Sequence, residues 1–149
     1  MTQFTLELDE LEQRPIVHMG GTPSLDAMLD TGAVFPIWVA DELLLQKLVA
    51  IMTKKCVPFG GFGGTTTGNL YTLPYFRVGE LIFPEFPLVA APHKLPCQML
   101  LSATVFSKLI YEIDDKHHRL NVTVPDDETA IRKLSVKDEN GRLYILCEN

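Results

Sequence analysis

The chain has 149 residues, 46% of them hydrophobic and 21% charged, with a formal net charge of −6. This is globular composition, long enough to bury a core without disulfide staples, and it argues against intrinsic disorder. The negative balance and the scatter of the 13 Lys and Arg residues exclude a nonspecific nucleic-acid binder, which needs a basic patch.

The doublets Lys54-Lys55 and Arg132-Lys133 read as solvated surface. Cys56, Cys97 and Cys147 are odd in number and lack C-x-x-C spacing, so they read as free thiols in a reducing, cytoplasmic setting. The opening MTQFTLELDELEQRP is acidic and broken, unlike a secretory leader. No apolar run approaches the ~20 residues of a membrane helix. Without an internal repeat or a low-complexity linker, a single domain over residues 1–149 is expected, with no membrane and no nucleic-acid partner.

Taken in chain order, Phe4–Leu8 (FTLEL) alternates as a strand does. Pro15–Met19 (PIVHM) is a second β-rich run, and Gly20–Ser24 (GGTPS) marks a turn. Leu25–Leu29 (LDAML) then leads into Asp30. Beyond Trp38, which reads as a packing residue, the pattern changes. Leu44, Leu48 and Ile51, like Leu45, Val49 and Met52, fall at helical spacing, so a helix is expected over Leu43–Met52 with Asp41 as its N-cap or a first-turn carboxylate. Pro58–Gly68 (PFGGFGGTTTG) lies between a short β segment at Cys56-Val57 and the run NLYTLPYFRV from Asn69, and fits a hairpin with a flexible tip. Strands at ELIF and FPLVAA follow, and Pro84, Pro87 and Pro92 predict edges or bends rather than a central strand. Cys97–Ser102 (CQMLLS) is an apolar run, Ala103–Leu109 (ATVFSKL) a short helix, and IYEID and RLNVTV a strand pair turning at Asp115–His118. The tail KLSVKDENGRLYILCEN reads as a hairpin around Asn140-Gly141, a dipeptide suited to a type I′ turn.

Asp30-Thr31-Gly32-Ala33 stands between two apolar runs, AML and VFPIW. As a bare tripeptide, Asp-Thr-Gly is a common turn. Its flanks draw it towards the core, where a carboxylate needs hydrogen bonds or a charge partner. A chemical use fits each residue. Two carboxylates in contact share one proton, so one serves as base and the other as acid. Such a pair can activate a water against a peptide carbonyl and then protonate the leaving nitrogen. Thr31 offers a hydroxyl to lock the loop, Gly32 a backbone without a Cβ to clash, and Ala33 room for a substrate. The chain has no second Asp-Thr-Gly or Asp-Ser-Gly, so the partner carboxylate is expected from Asp30 of a second copy across a two-fold axis.

With these motifs in this order, the chain resembles the retropepsin-like aspartic proteases, single-domain enzymes that act as homodimers. The resemblance spans roughly Leu25 to Val124. MLDTGA at Met28–Ala33 matches the family's active-site loop, and FGGFGG at Phe59–Gly64 looks like its glycine-rich flap. QMLLSATVFSKLIYEID at Gln98–Asp114 is similar to the second loop, short helix and strand that follow, with Ser102 where the family has glycine. The resemblance implies a mostly β fold, a closed barrel of the acid-protease type with one or two short helices and one half-site per chain. It implies catalytic roles for Asp30, Thr31 and Gly32, and substrate contacts for Ala33, Phe59, Gly60, Gly61, Phe62, Gly63 and Gly64. Phe35 or Ile37 and residues near Met99–Ala103 are expected to line or support pockets. The implied substrate is a peptide or protein in extended conformation, with no metal and no organic cofactor. The strands before Leu25 and the hairpin at 128–149 exceed the minimal enzyme and are expected to extend or replace the dimer interface. The alternative is a dimerising or peptide-binding module of the same fold without turnover.

Other readings of these residues are weaker. Gly60–Gly64 lacks the Lys-[Ser/Thr] of a phosphate loop. His117-His118 lies in a polar turn without a third ligand at metal spacing. His18 and His93 read as isolated strand and loop histidines, and Cys97 as a core thiol. Ser102 and Ser107 lack a G-x-S-x-G context, and Asp114, Asp126 and Asp127 lack a following Thr-Gly.

Overall fold

Alternation decides the first strands. In β1 (Thr2–Leu11) Leu6 and Leu8 turn inward while Thr5, Glu7 and Asp9 face out. β2 (Arg14–Gly20) buries Ile16 and Val17, and β3 (Leu25–Asp30) buries Leu25, Ala27, Met28 and Leu29. The computed structural model describes residues 1–11, 14–20, 23–39, 42–61, 64–91 and 95–148; Asp41, Phe62, Gly63, Pro92 and His93 lie outside them. After β3 come β4 (Ile37–Trp38), α1 (Glu42–Lys47) and the long hairpin of β5 (Ile51–Gly61) and β6 (Gly64–Leu73). The short strands β7 (Phe76–Val78), β8 (Leu81–Phe83), β9 (Phe86–Ala90) and β10 (Met99–Ser102) lead to a 3-10 helix at Ala103–Phe106. The pair β11 (Ile110–Asp114) and β12 (Arg119–Val124) and the C-terminal hairpin of β13 (Lys133–Glu139) and β14 (Arg142–Glu148) complete the order.

Among the described residues, ten strands form one sheet in the order β11-β12-β1-β2-β3-β10-β4-β9-β6-β5, with β7–β8 and β13–β14 as separate pairs. The centre of this sheet interleaves distant parts of the chain. β10 runs parallel to β3 and antiparallel to β4, and β4 runs parallel to β9. A continuous apolar core extends from Leu6 to Ile145, with Trp38, Phe83, Phe86 and Phe106 almost wholly enclosed. Phe86 meets Phe76 and Phe83 at ring-centroid distances of 4.4 and 5.2 Å, contacts that add to simple area burial.

The helix after Trp38 is shorter than its spacing predicts. Val49 adopts a left-handed φ of 61°, its N–H bonds the Gln46 carbonyl at 3.0 Å, and the Ala50 N–H reaches back to the Leu45 carbonyl at 3.1 Å. That is a Schellman-type stop. Ile51 and Met52 then open β5 with exposed side chains, so their apolar spacing belongs to a strand rather than a helix face. Pro74 falls between β6 and β7 and divides the run expected from Asn69 to Val78.

Pro87 does not mark an edge: β9 lies between β4 and β6 and is buried throughout. The proline is tolerated because β4 pairs with β9 only from Val89 onward, so no ladder bond is lost on that side. The closed barrel is not confirmed, since the strand order is open, with β11 and β5 at its edges and no pairing between them among the described residues. Arg132 is fully buried, contrary to the solvated surface expected of its doublet. The C-terminal hairpin turns at Asn140 (φ 56°) and Gly141 (φ 79°), the pair of left-handed residues a type I′ turn needs. Its Leu134, Leu143 and Ile145 pack into the chain's own core.

His18 links the first strands. Its Nδ1 lies 2.7 Å from Asp26 Oδ1 on β3, and its Nε2 lies 2.6 Å from Asp9 Oδ2 on β1. Glu7 is its direct cross-strand neighbour, and His117, His118 and Arg119 line the same cleft. Hydrogen bonds to Asp26 and then Asp9 raise the His18 pKa above its ordinary value, with burial opposing them. A histidine pKa raised by folding stabilises the fold fully below the unfolded pKa of about 6.5 and loses that contribution as pH rises through the folded value.

Wild type should therefore lose stability relative to His18→Gln as pH rises from about 6 through the raised folded value. Urea unfolding of both proteins across that range measures the difference, and parallel curves would contradict the linkage. At the helix stop, Val49 is 66% exposed, so replacing it removes little burial. Val49→Gly should relieve the left-handed strain and add about 1 kcal/mol, read as a higher urea midpoint. An unchanged or lower midpoint would show that the conformation costs nothing.

Candidate active site

The parallel register of β3 and β10 sets Asp30 opposite Ser102 at the point where both strands end. Asp30 is half-buried, and Thr31 and Gly32 are exposed. Asp30 Oδ1 accepts the Gly32 N–H at 2.9 Å, and the Asp30 carbonyl accepts the Ala33 N–H at 3.3 Å. The aspartate thus shapes its own turn.

Ser102 fastens that turn from behind. It is completely buried, and its Oγ donates to the Ala33 carbonyl at 2.7 Å. The same oxygen accepts the Thr104 N–H at 3.2 Å and lies 3.1 Å from Thr104 Oγ1. One proton and two lone pairs are what a hydroxyl has to offer, and Ser102 uses both capacities. It also serves as the N-cap of the 3-10 helix.

The structure brings Asp30, Thr31, Gly32 and Ala33 together with Ser102. The Thr31 hydroxyl has no hydrogen bond among the described residues, and within the chain the loop is tied from Ser102. A Cβ on Gly32 would meet only Asp30 Oδ1 at 3.4 Å, an ordinary contact, so the chain's own atoms do not demand glycine there. Phe35 and Ile37 are each 2% exposed, and Met99–Ser102 is buried throughout. These residues support the loop from the core and do not line an open pocket. Phe59, Gly60, Gly61 and Gly64 lie in the arms of the β5–β6 hairpin, paired as far as Gly61 with Gly64, while the expected tip, Phe62 and Gly63, falls outside the described residues. Among the described residues no hydrogen bond joins this hairpin to the Asp30 loop.

A cleft of about 500 Å³ opens beside the carboxylate, lined by Arg14, Pro15, Met28, Asp30, Thr31 and Ile113. Arg14, whose Nη1 lies 3.5 Å from Met28 Sδ, and Ile113 are neighbours that sequence reading missed. Ile16 faces Met28, so two further residues along β2 bring Arg14 level with Asp30. A register shift between His18 and Gly20 hides this from any count made from the turn. Two other candidate carboxylates are engaged elsewhere. Asp114 meets His117 Nδ1 at 2.8 Å, which holds its carboxyl below the usual range, and Asp126 meets the amino terminus at 2.8 Å. The described residues contain no cluster of His, Cys, Asp and Glu suited to a metal ion.

Ser102→Ala should leave the Ala33 carbonyl and the Thr104 N–H without their partner inside the protein, at a cost of about 1–3 kcal/mol. Chemical denaturation measures it; a change within error would show that the bond does not hold the loop.

No protein-family model and no curated protein matches the chain. Among solved structures, it is similar to a retropepsin-like aspartic protease from Rickettsia conorii, with 14% identity and a TM-score of 0.55, covering 99% of this chain and 94% of that one. At that identity the likeness is one of architecture: the chain has a mostly β fold of the kind seen in that retropepsin-like protease.

Proposed function

We propose that this chain is one half of a homodimeric aspartic endopeptidase, each copy contributing Asp30 to a shared carboxylate dyad. The observation that carries the reading is the position of Asp30. It stands at the end of a core strand, its carboxylate is oriented by the Gly32 N–H, and it borders an open cleft. The fold likeness to a retropepsin-like protease supports the same reading. So does the engagement of Asp114 and Asp126 in other pairs, which removes two alternative carboxylates from the role.

In this mechanism the two carboxylates hold one proton between them and bind the attacking water. The ionised member takes a proton from the water as it adds to the peptide carbonyl. The protonated member donates to the carbonyl oxygen, and the nitrogen is protonated as the C–N bond breaks. Ala33 leaves room beside the carboxylate. The β5–β6 hairpin, with Phe59, Gly60, Gly61 and Gly64 in its arms, acts as the flap over an extended peptide held by strand-like hydrogen bonds. The edge strand β11, with Ile110 61% and Ile113 39% exposed, offers an apolar border next to the cleft for the second copy. Cys56, Cys97 and Cys147 form no disulfide among the described residues, which suits a cytoplasmic setting. The binding-module alternative drew on Ser102, and that residue has a hydrogen-bonded place in the chain.

Asp30→Asn should lower cleavage of a mixed peptide library by roughly 10²–10⁴-fold or more while the dimer persists by light scattering. Equal cleavage by the variant would falsify the assignment. Peptide binding without cleavage by wild type at any pH would favour the module.

A further inference from the structure

Arg132 is the only charged side chain among the fully buried residues described, and nothing in the mechanism above uses it. The backbone on either side is pinned to β8: the Ile82 N–H bonds the Ala130 carbonyl and the Arg132 N–H bonds the Ile82 carbonyl, both at 2.8 Å. From this anchor the guanidinium crosses to another part of the chain. Nη2 donates to the Ser107 carbonyl, Nη1 donates to the Thr129 carbonyl at 3.2 Å, and the group also reaches the Cys147 thiol on β14. Nε finds no partner among the described residues.

Ser107 is the C-cap of the 3-10 helix, and Ser102 is its N-cap. A helix of four residues is therefore held at both ends by side chains. One end is tied through Ser102 to Ala33 in the Asp30 loop, and the other through Arg132 to the start of the C-terminal hairpin. β14 packs directly on this helix and on β5.

We infer that Arg132 is a positioning residue, through which the C-terminal hairpin braces the 3-10 helix and so the Asp30 loop. Stability alone does not call for arginine here. Burying a cation with an unpaired N–H is costly, and an apolar side chain of similar volume often fills such a site equally well. What the guanidinium adds is a rigid fork of donors that joins carbonyls from separate segments. The hairpin beyond the minimal enzyme thereby acquires a task within its own chain.

The inference rests on the reading of Asp30 as the working carboxylate, but its test does not need peptide cleavage. Hydrogen exchange by mass spectrometry on the full chain compares wild type with Arg132→Met and Arg132→Lys. With the brace removed, segments 27–38 and 99–109 should exchange roughly tenfold faster in Arg132→Met, with partial recovery in Arg132→Lys and no change over 4–20. Faster exchange confined to 129–148, or unchanged rates over 27–38, overturns the inference. If Arg132→Met does not fold, Arg132→Lys decides on the same criterion: faster exchange over 27–38 supports the brace, and wild-type rates there overturn it.

Discussion

The place of Asp30 depends on one pairing, the parallel alignment of β3 with β10. These strands lie about seventy residues apart in sequence, as the span between Ala33 and Ser102 shows (|i−j| = 69). Yet they end together, with Asp30 and Ser102 facing each other. The pairing does two things at once. It buries Met99, Leu100 and Leu101 against Ala27, Met28 and Leu29, which holds the strands by apolar contact. It also sets the Ser102 hydroxyl against the Ala33 carbonyl, which fixes how the chain leaves β3. A one-residue slip would turn every side chain of β10 to the other face and remove that bond.

The loop itself is held by short-range hydrogen bonds, each of which contributes about 1 kcal/mol net and more where the Asp30 carboxylate accepts. Its definition therefore comes from several such contacts acting in series: Gly32 N–H to Asp30, Ser102 to Ala33, and Thr104 to Ser102. Around this chain of contacts the protein places its charged devices at a distance. His18 fastens β1 and β2 to the strand that carries Asp30, and Arg132 fastens the C-terminal hairpin to the helix behind it. The cleft side of Asp30 is left open, bordered by Arg14 and Ile113.

Local patterns are legible in the sequence. The alternation of β1 and β12, the Asn140-Gly141 turn and the LDTGA segment at a strand end each follow from signals a few residues long. Such signals mislead where an unusual backbone conformation or pairing with a distant segment overrides them. Leu44 to Met52 has helical spacing, but Val49 takes a left-handed conformation that a β-branched residue rarely adopts, and the helix stops. Pro87 reads as an edge, yet only pairing with β4 and β6 decides where β9 lies. Arg132 looks like surface in a basic doublet, and its burial follows from the docking of a segment on β8. Arg14 and Ile113 reach the cleft through register and sheet order, neither of which a short window contains. The resemblance to retropepsin-like proteases carries the architecture as a mostly β fold; its closed barrel is not confirmed, because the strand order among the described residues is open.

The central claim is that a working site needs two copies of Asp30. The most direct test is the binding stoichiometry of a peptide isostere bearing a tetrahedral hydroxyl-carbon in place of the cleaved bond, measured by titration calorimetry. Such a mimic engages a dyad far more tightly than a substrate does. The account predicts one isostere per two chains, with binding lost in Asp30→Asn. One isostere per chain, or equal affinity for the variant, would contradict it.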